Sequence, residues 1–138
     1  MTLRRRRPGL VYPVNEDWHY VGEAGEPAFL NSWVNESTGY RLAFRLRETG
    51  IGDIQGRIKG GTSGDPIFQL PAAYRPAFYT SVFGAEVDSG TLTNALVIVG
   101  FTGTGNAYVT PQWEDSAVSV SMEINGQFFL TPPDAWRW

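Results

Sequence analysis

The stretch that decides the fold is GRIKGGTSGDPIFQLPAAYRP, residues 56–76. A strand is predicted to end at Ile58, and the pair Gly60-Gly61 then predicts a turn, because glycine adopts backbone angles that other residues avoid. A second, short strand follows at residues 67–70. Proline fixes the backbone and removes an amide donor, and this stretch contains Pro66, Pro71 and Pro76. The pattern predicts a strand, a turn, a short strand and a rigid corner.

The glycine-rich run at residues 60–64 also invites comparison with a phosphate-binding loop, but its surroundings do not fit one. A P-loop ends in Gly-Lys-Ser/Thr and opens a helix. Here Lys59 precedes the glycines and Pro66 follows them. The run is therefore interpreted as a turn and not as a site of chemistry.

The composition is that of one folded β domain. The chain has 138 residues, of which 42% are hydrophobic and 18% are charged, with 16 glycines and 9 prolines. A domain of this length forms a core without disulfides or metals, and frequent glycine and proline are typical of strands joined by many turns. Because the chain has no cysteine and a single histidine, His19, we expect no disulfide, no metal site and no cofactor.

Alternating apolar residues predict a fold built from short strands. The clearest case is residues 40–47, where every second residue is apolar, as in a half-buried strand. Asn125-Gly126 is a strong hairpin signal, and a return strand is expected after it. The other strands are predicted over 29–34, 51–58, 67–70, 77–83, 95–99, 107–110, 118–124 and 127–130, with turns at 88–90 and 103–106. Eight to ten short strands argue for an all-β fold, an antiparallel β-sandwich or jelly-roll-like barrel.

The N-terminal residues differ from the rest of the chain in charge and in pattern. The whole chain has 11 basic and 14 acidic residues. Four of the basic residues are consecutive arginines near the N-terminus, and the first acidic residue, Glu16, comes after them. We predict an extended N-terminal anchoring arm over residues 1–27 and a β head domain over 28–138, since the arm is rich in proline and glycine and has no sustained period. The arm is expected to dock on other protein subunits through Arg4, Arg5, Arg6, Arg7, Leu10, Tyr12 and Trp18.

Two other roles for the arginine run stay open, contact with nucleic acid or a solvated tail. The acidic remainder of the chain argues against a broad nucleic-acid surface, so docking on protein is favoured. No apolar run approaches the length that spans a bilayer. The basic residues are not followed by the apolar core of a secretory signal, so we expect neither a membrane span nor secretion.

Several aromatic residues are candidates for a contact surface. Tryptophan combines a large apolar area with a polar edge, so such residues stack on sugars or line subunit interfaces. For Trp33, a position within a predicted strand favours the core instead. The candidates are Trp33, Trp113, Trp136 and Trp138.

The titratable residues show no catalytic pattern. His19 has no evident base partner in the sequence, and the acid pairs Glu16-Asp17 and Glu114-Asp115 are adjacent residues. Neighbours on a strand face opposite sides, so neither pair presents two carboxylates across one bond, as glycosidases require. We expect a protein that is not an enzyme.

Five short motifs follow one another along the chain: GEPAF (25–29), WVN (33–35), GRIKGGT (56–62), IFQLP (67–71) and YRP (74–76). Together they resemble a small β domain of bacteriophage virion proteins. That domain commonly stands at the C-terminal end of tail fibre, minor tail and receptor-binding proteins. The resemblance covers about residues 17–130.

The resemblance implies a non-enzymatic, usually trimeric β-sandwich head that is made in the host cytoplasm and displayed on the virion surface. The family's domain usually follows a long neck, whereas here a short basic arm precedes it. We therefore expect a capsid decoration or stabilising protein, a homotrimer docked by its arm onto other virion subunits. The alternative is a tail-tip or tail-fibre receptor-binding head that attaches to host cell-surface glycans.

Overall fold

The computed structural model describes residues 16–47, 50–62, 64–76, 80–88, 91–99, 107–112 and 121–130. Its strands are β1 (His19–Tyr20), β2 (Val34–Asn35), β3 (Ala43–Arg47), β4 (Ile51–Lys59), β5 (Phe68–Gln69), β6 (Thr80–Asp88), β7 (Thr91–Val99), β8 (Tyr108–Gln112) and β9 (Ser121–Phe129). A 3₁₀ turn covers Ala72–Tyr74. No helix in these ranges is long and apolar enough to cross a membrane.

The strands of the described ranges form one antiparallel sheet. Their order is β1-β3-β4-β9-β6-β7-β8-β5. β2 pairs with the last two residues of β4, Ile58 and Lys59, which β3 does not reach. The prediction of an all-β antiparallel fold is confirmed. β7 includes the strand predicted over 95–99 and lies between β6 and β8. The pairing of β6 with β7 extends to Asp88 and Thr91, at the turn predicted over 88–90.

The sheet curls until side chains from its two ends meet. The Phe44 ring in β3 stacks on the Phe68 ring in β5 with 5.5 Å between ring centres, although these strands lie near opposite ends of the strand order. The Leu30 N–H also donates to the Ile67 carbonyl oxygen at 2.8 Å, next to β5. The result is a half-barrel around an apolar core. The jelly-roll connection pattern and the extended arm stay predictions.

Residues 56–76 form the strand, turn, short strand and corner that their sequence predicts. After β4, Gly60 and Gly64 have φ angles of 94° and 90°, a left-handed conformation that glycine adopts at no steric cost. β5 and the 3₁₀ turn follow. The corner is braced where the Arg75 side chain donates to the Leu70 carbonyl oxygen at 2.8 Å.

Alternation along β4 separates the core from the outer face of the sheet. Ile54 and Ile58 are buried, with 1% and 0% of their surface exposed. Asp53 and Gln55 point the other way, because successive side chains of a strand face opposite sides. The paired strand β9 does the same, with Ile124 buried opposite β4. The predicted strand over 51–58 is confirmed, and its polar face is directed outward.

The predicted hairpin at Asn125-Gly126 is wrong. β9 continues straight through both residues, which pair with Gln55 and Ile54 of β4. A β-carbon on Gly126 would lie 2.7 Å from the β-carbon of Val82, closer than carbon atoms pack. The glycine therefore makes room for a β6 side chain, and the predicted return strand is the second half of β9.

We expect Gly126→Ala to lower the free energy of unfolding by about 1–3 kcal/mol, the usual cost of overpacking a core. Gly39→Ala is the control, because a β-carbon there would meet nothing nearer than the Ser37 hydroxyl at 3.8 Å. That change should stay within about 0.5 kcal/mol. Urea unfolding measures both, and equal effects would contradict the packing explanation for Gly126.

The first predicted strand, 29–34, is also wrong over most of its length. Asn31 and Ser32 have φ angles of 54° and 67°, a left-handed conformation incompatible with a strand. The Asn31 side chain donates to the Pro66 carbonyl oxygen at 2.8 Å. This long-range hydrogen bond ties the turn at Asn31 to the segment just before β5. Strand geometry begins only at Val34.

Residues 16–21 lie along the edge of the sheet, beside β3. β1 pairs with β3, and two further backbone bonds flank this pairing, from Glu16 to Leu46 at 3.3 Å and from Val21 to Leu42 at 3.0 Å. The division into an arm over residues 1–27 and a head over 28–138 stays a prediction. The earlier part of the predicted arm lies outside the described residues.

Candidate functional site

Of the predicted contact residues, the structure describes Trp18 and Trp33. Trp33 is 1% exposed, and its indole N–H donates to the Asp65 carbonyl oxygen at 3.1 Å. Of the two roles that the sequence left open for Trp33, the structure shows the core, so this ring does not offer a contact surface. The other predicted site residues lie outside the described ranges: Arg4, Arg5, Arg6, Arg7, Leu10, Tyr12, Trp113, Trp136 and Trp138.

Trp18 lies against the outer face of this chain's own sheet. The guanidinium carbon of Arg45 is 4.3 Å from the centre of the indole ring, a cation–π contact that fixes both side chains. Trp18 was predicted as part of a docking arm, and its docking on another subunit stays a prediction. In the described chain it borders a groove.

The groove is formed where the outward faces of three neighbouring strands, β3, β4 and β9, lie side by side. Its cavity volume is ≈ 540 Å³, within the range of small-molecule sites. The strand register places Arg45 and Gln127 on either side of Asp53, and Asn125 beside Gln55. The lining residues are Trp18, Arg45, Arg47, Asp53, Ile54, Gln55, Asn125, Gly126 and Gln127.

One carboxylate in the groove is shared by two guanidinium groups. Arg45 Nε donates to Asp53 Oδ2 at 3.2 Å, and Arg47 Nε donates to Asp53 Oδ1 at 3.0 Å. The Asp53 side chain is only 12% exposed, against 24% for Arg45 and 32% for Arg47. Charge-assisted bonds of this kind hold the side chains in a fixed arrangement. The groove therefore has rigid polar walls.

A second, smaller cavity of ≈ 340 Å³ lies at the corner after β5. Five of its eight lining residues are apolar, Pro27, Ala28, Leu30, Leu70 and Pro71, and the other three are Gln69, Arg75 and Tyr108. Six of the nine residues that line the groove have charged or amide side chains, so the groove has the more polar lining.

A separate cluster surrounds His19 at the start of the sheet. Nδ1 lies 2.9 Å from Glu26 Oε2, and Nε2 lies 3.2 Å from Glu16 Oε1 and 2.9 Å from the Tyr74 hydroxyl. The imidazole also stacks on Phe44 at 5.3 Å. Both ring nitrogens are occupied by groups of the domain itself, so the cluster joins β1 to the corner.

The partners of His19 raise its pKa above the ordinary value of 6.5. Burial alone would lower this pKa, but the hydrogen bond of Glu26 and the charges of Glu26 and Glu16 favour the protonated ring more strongly. Burial, followed by the hydrogen bond and charge of Glu16, raises the pKa of Tyr74 to about 12. The cluster therefore favours a charged imidazolium between two carboxylates.

We expect His19→Gln to cost more stability in weakly acidic than in weakly alkaline solution. Since the folded pKa is raised, the stabilisation is fully present below the unfolded pKa, near 6.5, and is lost as the pH rises through the folded pKa. Urea unfolding of both proteins at about pH 6 and about pH 8.5 measures the difference. An equal loss at both values would show that ring packing, not ion pairing, is what His19 contributes.

Sequence reasoning missed the partners of His19. Glu16 precedes it by three residues and Glu26 follows it by seven, and neither spacing by itself signals a contact in a strand. Between them, Gly22 and Gly25 have φ angles of 90° and 81° and turn the chain back. This pair of glycines was the signal that could have placed Glu26 beside the histidine.

Neither a scan against protein-family models nor a search of the curated proteins gave a match to this chain. The groove and the His19 cluster are therefore interpreted from their own geometry and chemistry.

Proposed function

We propose that this protein is a non-enzymatic bacteriophage virion protein whose β head binds carbohydrate at the host cell surface through the groove. The five motifs between residues 25 and 76 support the virion role by resemblance. The observation that carries the binding role is the groove of ≈ 540 Å³, with a rigid, polar lining, on the outer face of the sheet. On this proposal the protein is made in the host cytoplasm and displayed on the particle.

The lining of the groove fits a ligand rich in hydroxyl groups. Gln55, Asn125 and Gln127 each offer a carbonyl acceptor and an amide donor, the pair of functions that a sugar hydroxyl needs. Trp18 adds an aromatic ring with an apolar face. A strand face presents these groups on a rigid surface, which limits the entropy lost on binding.

Binding is proposed in place of catalysis because the titratable groups are already engaged. Both carboxylate oxygens of Asp53 accept hydrogen bonds from arginines, so this residue is poorly placed as a base. Both nitrogens of His19 have partners within the domain, and His19 lines neither of the two cavities described. Incubation of the protein with host wall polysaccharide should therefore give no cleavage products.

The receptor-binding role is preferred here over capsid decoration, which was the first expectation from the sequence. Decoration depends on a docking arm, whereas receptor binding has a polar groove on the described face of the sheet to support it. The described end of the arm hydrogen-bonds to its own β3. A homotrimer remains part of the proposal, since three weak sugar sites on one rigid body give avidity without new contacts.

Two measurements test the proposed function. The purified protein should bind intact host cells and compete with phage adsorption, and quantitative mass spectrometry of particles should find a few copies at the tail. Absence of the chain from purified particles would overturn the virion role. Copies covering the whole capsid, without host-cell binding, would favour decoration and would overturn receptor binding.

A further inference from the structure

The charges that line the groove do not balance. Two guanidinium groups, of Arg45 and Arg47, share the carboxylate of Asp53, and the remaining polar side chains among the described lining residues are neutral amides. The groove therefore has one net positive charge. A site with a net positive charge and partly exposed guanidinium groups favours a ligand with one negative charge.

Each arginine has donors left for a ligand. A guanidinium has five N–H donors, and the contacts of Arg45 and Arg47 with Asp53 are made through Nε alone. Among the described residues, the terminal nitrogens of these two side chains make no hydrogen bond. Arg45 is also held by the Trp18 ring at 4.3 Å, so little side-chain freedom remains to be lost when it binds.

We propose that the groove binds a carboxylate-bearing saccharide, with the carboxylate received by Arg45 and Arg47. A planar guanidinium fork matches a planar carboxylate in a bidentate geometry. The amides of Gln55, Asn125 and Gln127 then bind the sugar hydroxyls. This inference rests on the proposed function and names the class of sugar that the groove selects.

The chain itself supplies a matched control for Arg45. Arg41 has the same two kinds of contact, an ion pair with Glu23 at 3.2 Å and a stacked position 4.0 Å above the Tyr20 ring. Its side chain is 35% exposed, but it does not line the groove. Arg41→Gln therefore removes the same chemistry from a different place on the surface.

Isothermal titration calorimetry of the full chain tests the proposal with three probes. They are a uronate disaccharide, the same disaccharide with its carboxylate reduced to an alcohol, and a sugar phosphate. We expect the uronate to bind at least about tenfold more tightly than the reduced sugar. Only the uronate makes a hydrogen bond between two charged groups, and the loss of one such bond lowers affinity by about tenfold or more. Arg45→Gln and Arg47→Gln should each weaken uronate binding by at least about tenfold, while Arg41→Gln leaves it unchanged.

The outcomes separate this inference from the proposed function. Equal affinity for the uronate and the reduced sugar, preference for the sugar phosphate, or an equal loss in Arg41→Gln would each overturn the inference. Failure to bind all three probes while host cells are still bound overturns it and leaves the proposed function standing. Failure to bind both the probes and host cells overturns both.

A measurement on the unaltered protein tests the role of the arginines without depending on whether the variants fold. Raising the salt concentration should weaken uronate binding and leave binding of the reduced sugar nearly unchanged, since salt screens partly exposed charges. Uronate binding that is independent of salt would overturn the role of the arginines, whatever the variants show.

Discussion

Replacing Trp33 with alanine is expected to lower the free energy of unfolding by about 3–5 kcal/mol, the usual cost of truncating a buried tryptophan. The Trp33 side chain is 1% exposed and fixes the turn after Gly60 through its bond to the Asp65 carbonyl oxygen. Val34→Ala, one residue later at a position 46% exposed, is the control and should change stability by about 0.5 kcal/mol or less. Urea unfolding measures both changes, provided that each variant has the same dependence of unfolding free energy on urea concentration as the unaltered protein.

A double-mutant cycle with Gly61 makes this prediction more specific. A β-carbon on Gly61 would overlap the indole ring of Trp33, so Gly61→Ala should be strongly destabilising alone. In the Trp33→Ala background the same change should cost little, because the ring that it would strike is gone. Additive losses in the double variant would contradict the direct packing of Gly61 on Trp33.

Removing the carboxylate of Asp53 is the second large effect that we expect. Asp53→Ala leaves the half-buried guanidinium groups of Arg45 and Arg47 without the carboxylate that they share. Breaking a buried pair costs about 3–5 kcal/mol, and partial exposure of the arginines reduces the expected loss to about 2–4 kcal/mol. Thermal and urea unfolding measure this change.

The control for Asp53 is Glu23→Ala, which removes the carboxylate partner of Arg41. The Glu23 side chain is 58% exposed, against 12% for Asp53. An exposed ion pair is worth about 0–1 kcal/mol, so this change should be nearly silent. Similar losses in the two variants would mean that Asp53 does not organise the arginines of the groove.

The parts of the fold that the sequence predicted well are those set by local alternation. Residues 43–47 of the strand predicted over 40–47 form β3, and the strand predicted over 51–58 lies within β4. In both strands the alternation gave side chains a core to face. The turn with Gly60 and Gly64 was also foreseen, since both have positive φ angles. The local sequence pattern was enough to predict a strand or a turn wherever the packing of the folded chain did not oppose it.

The errors arose where tertiary contacts overrode local signals. Asn125-Gly126 has the composition of a hairpin turn, but Gly126 is needed for the close approach of Val82. Similarly, residues 29–34 were predicted as a strand, but Asn31 and Ser32 turn the chain, and the Asn31 side chain bonds to the distant Pro66 carbonyl oxygen. A glycine selected for packing and a glycine selected for turning look the same in one sequence.

The groove was only half visible in the sequence. Alternation along residues 40–47 places Arg45 and Arg47 on one face, but their partner Asp53 comes from another strand. Gln127 lies beside Asp53 only through the pairing of β4 with β9, a register that no local pattern determines. The contact of Trp18 with Arg45 could not be predicted for the same reason, since it depends on the pairing of β1 with β3.

NMR of the isotope-labelled chain tests the groove as the binding site most directly, by mapping backbone amide shifts while oligosaccharides released from the host surface are added. We expect the largest shifts at Arg45, Gln55, Asn125 and Gln127, and we expect amides beside the second cavity, such as Leu70, to stay in place. Shifts concentrated at the second cavity, or none at all at saturating sugar, would contradict the assignment of the groove as the binding site.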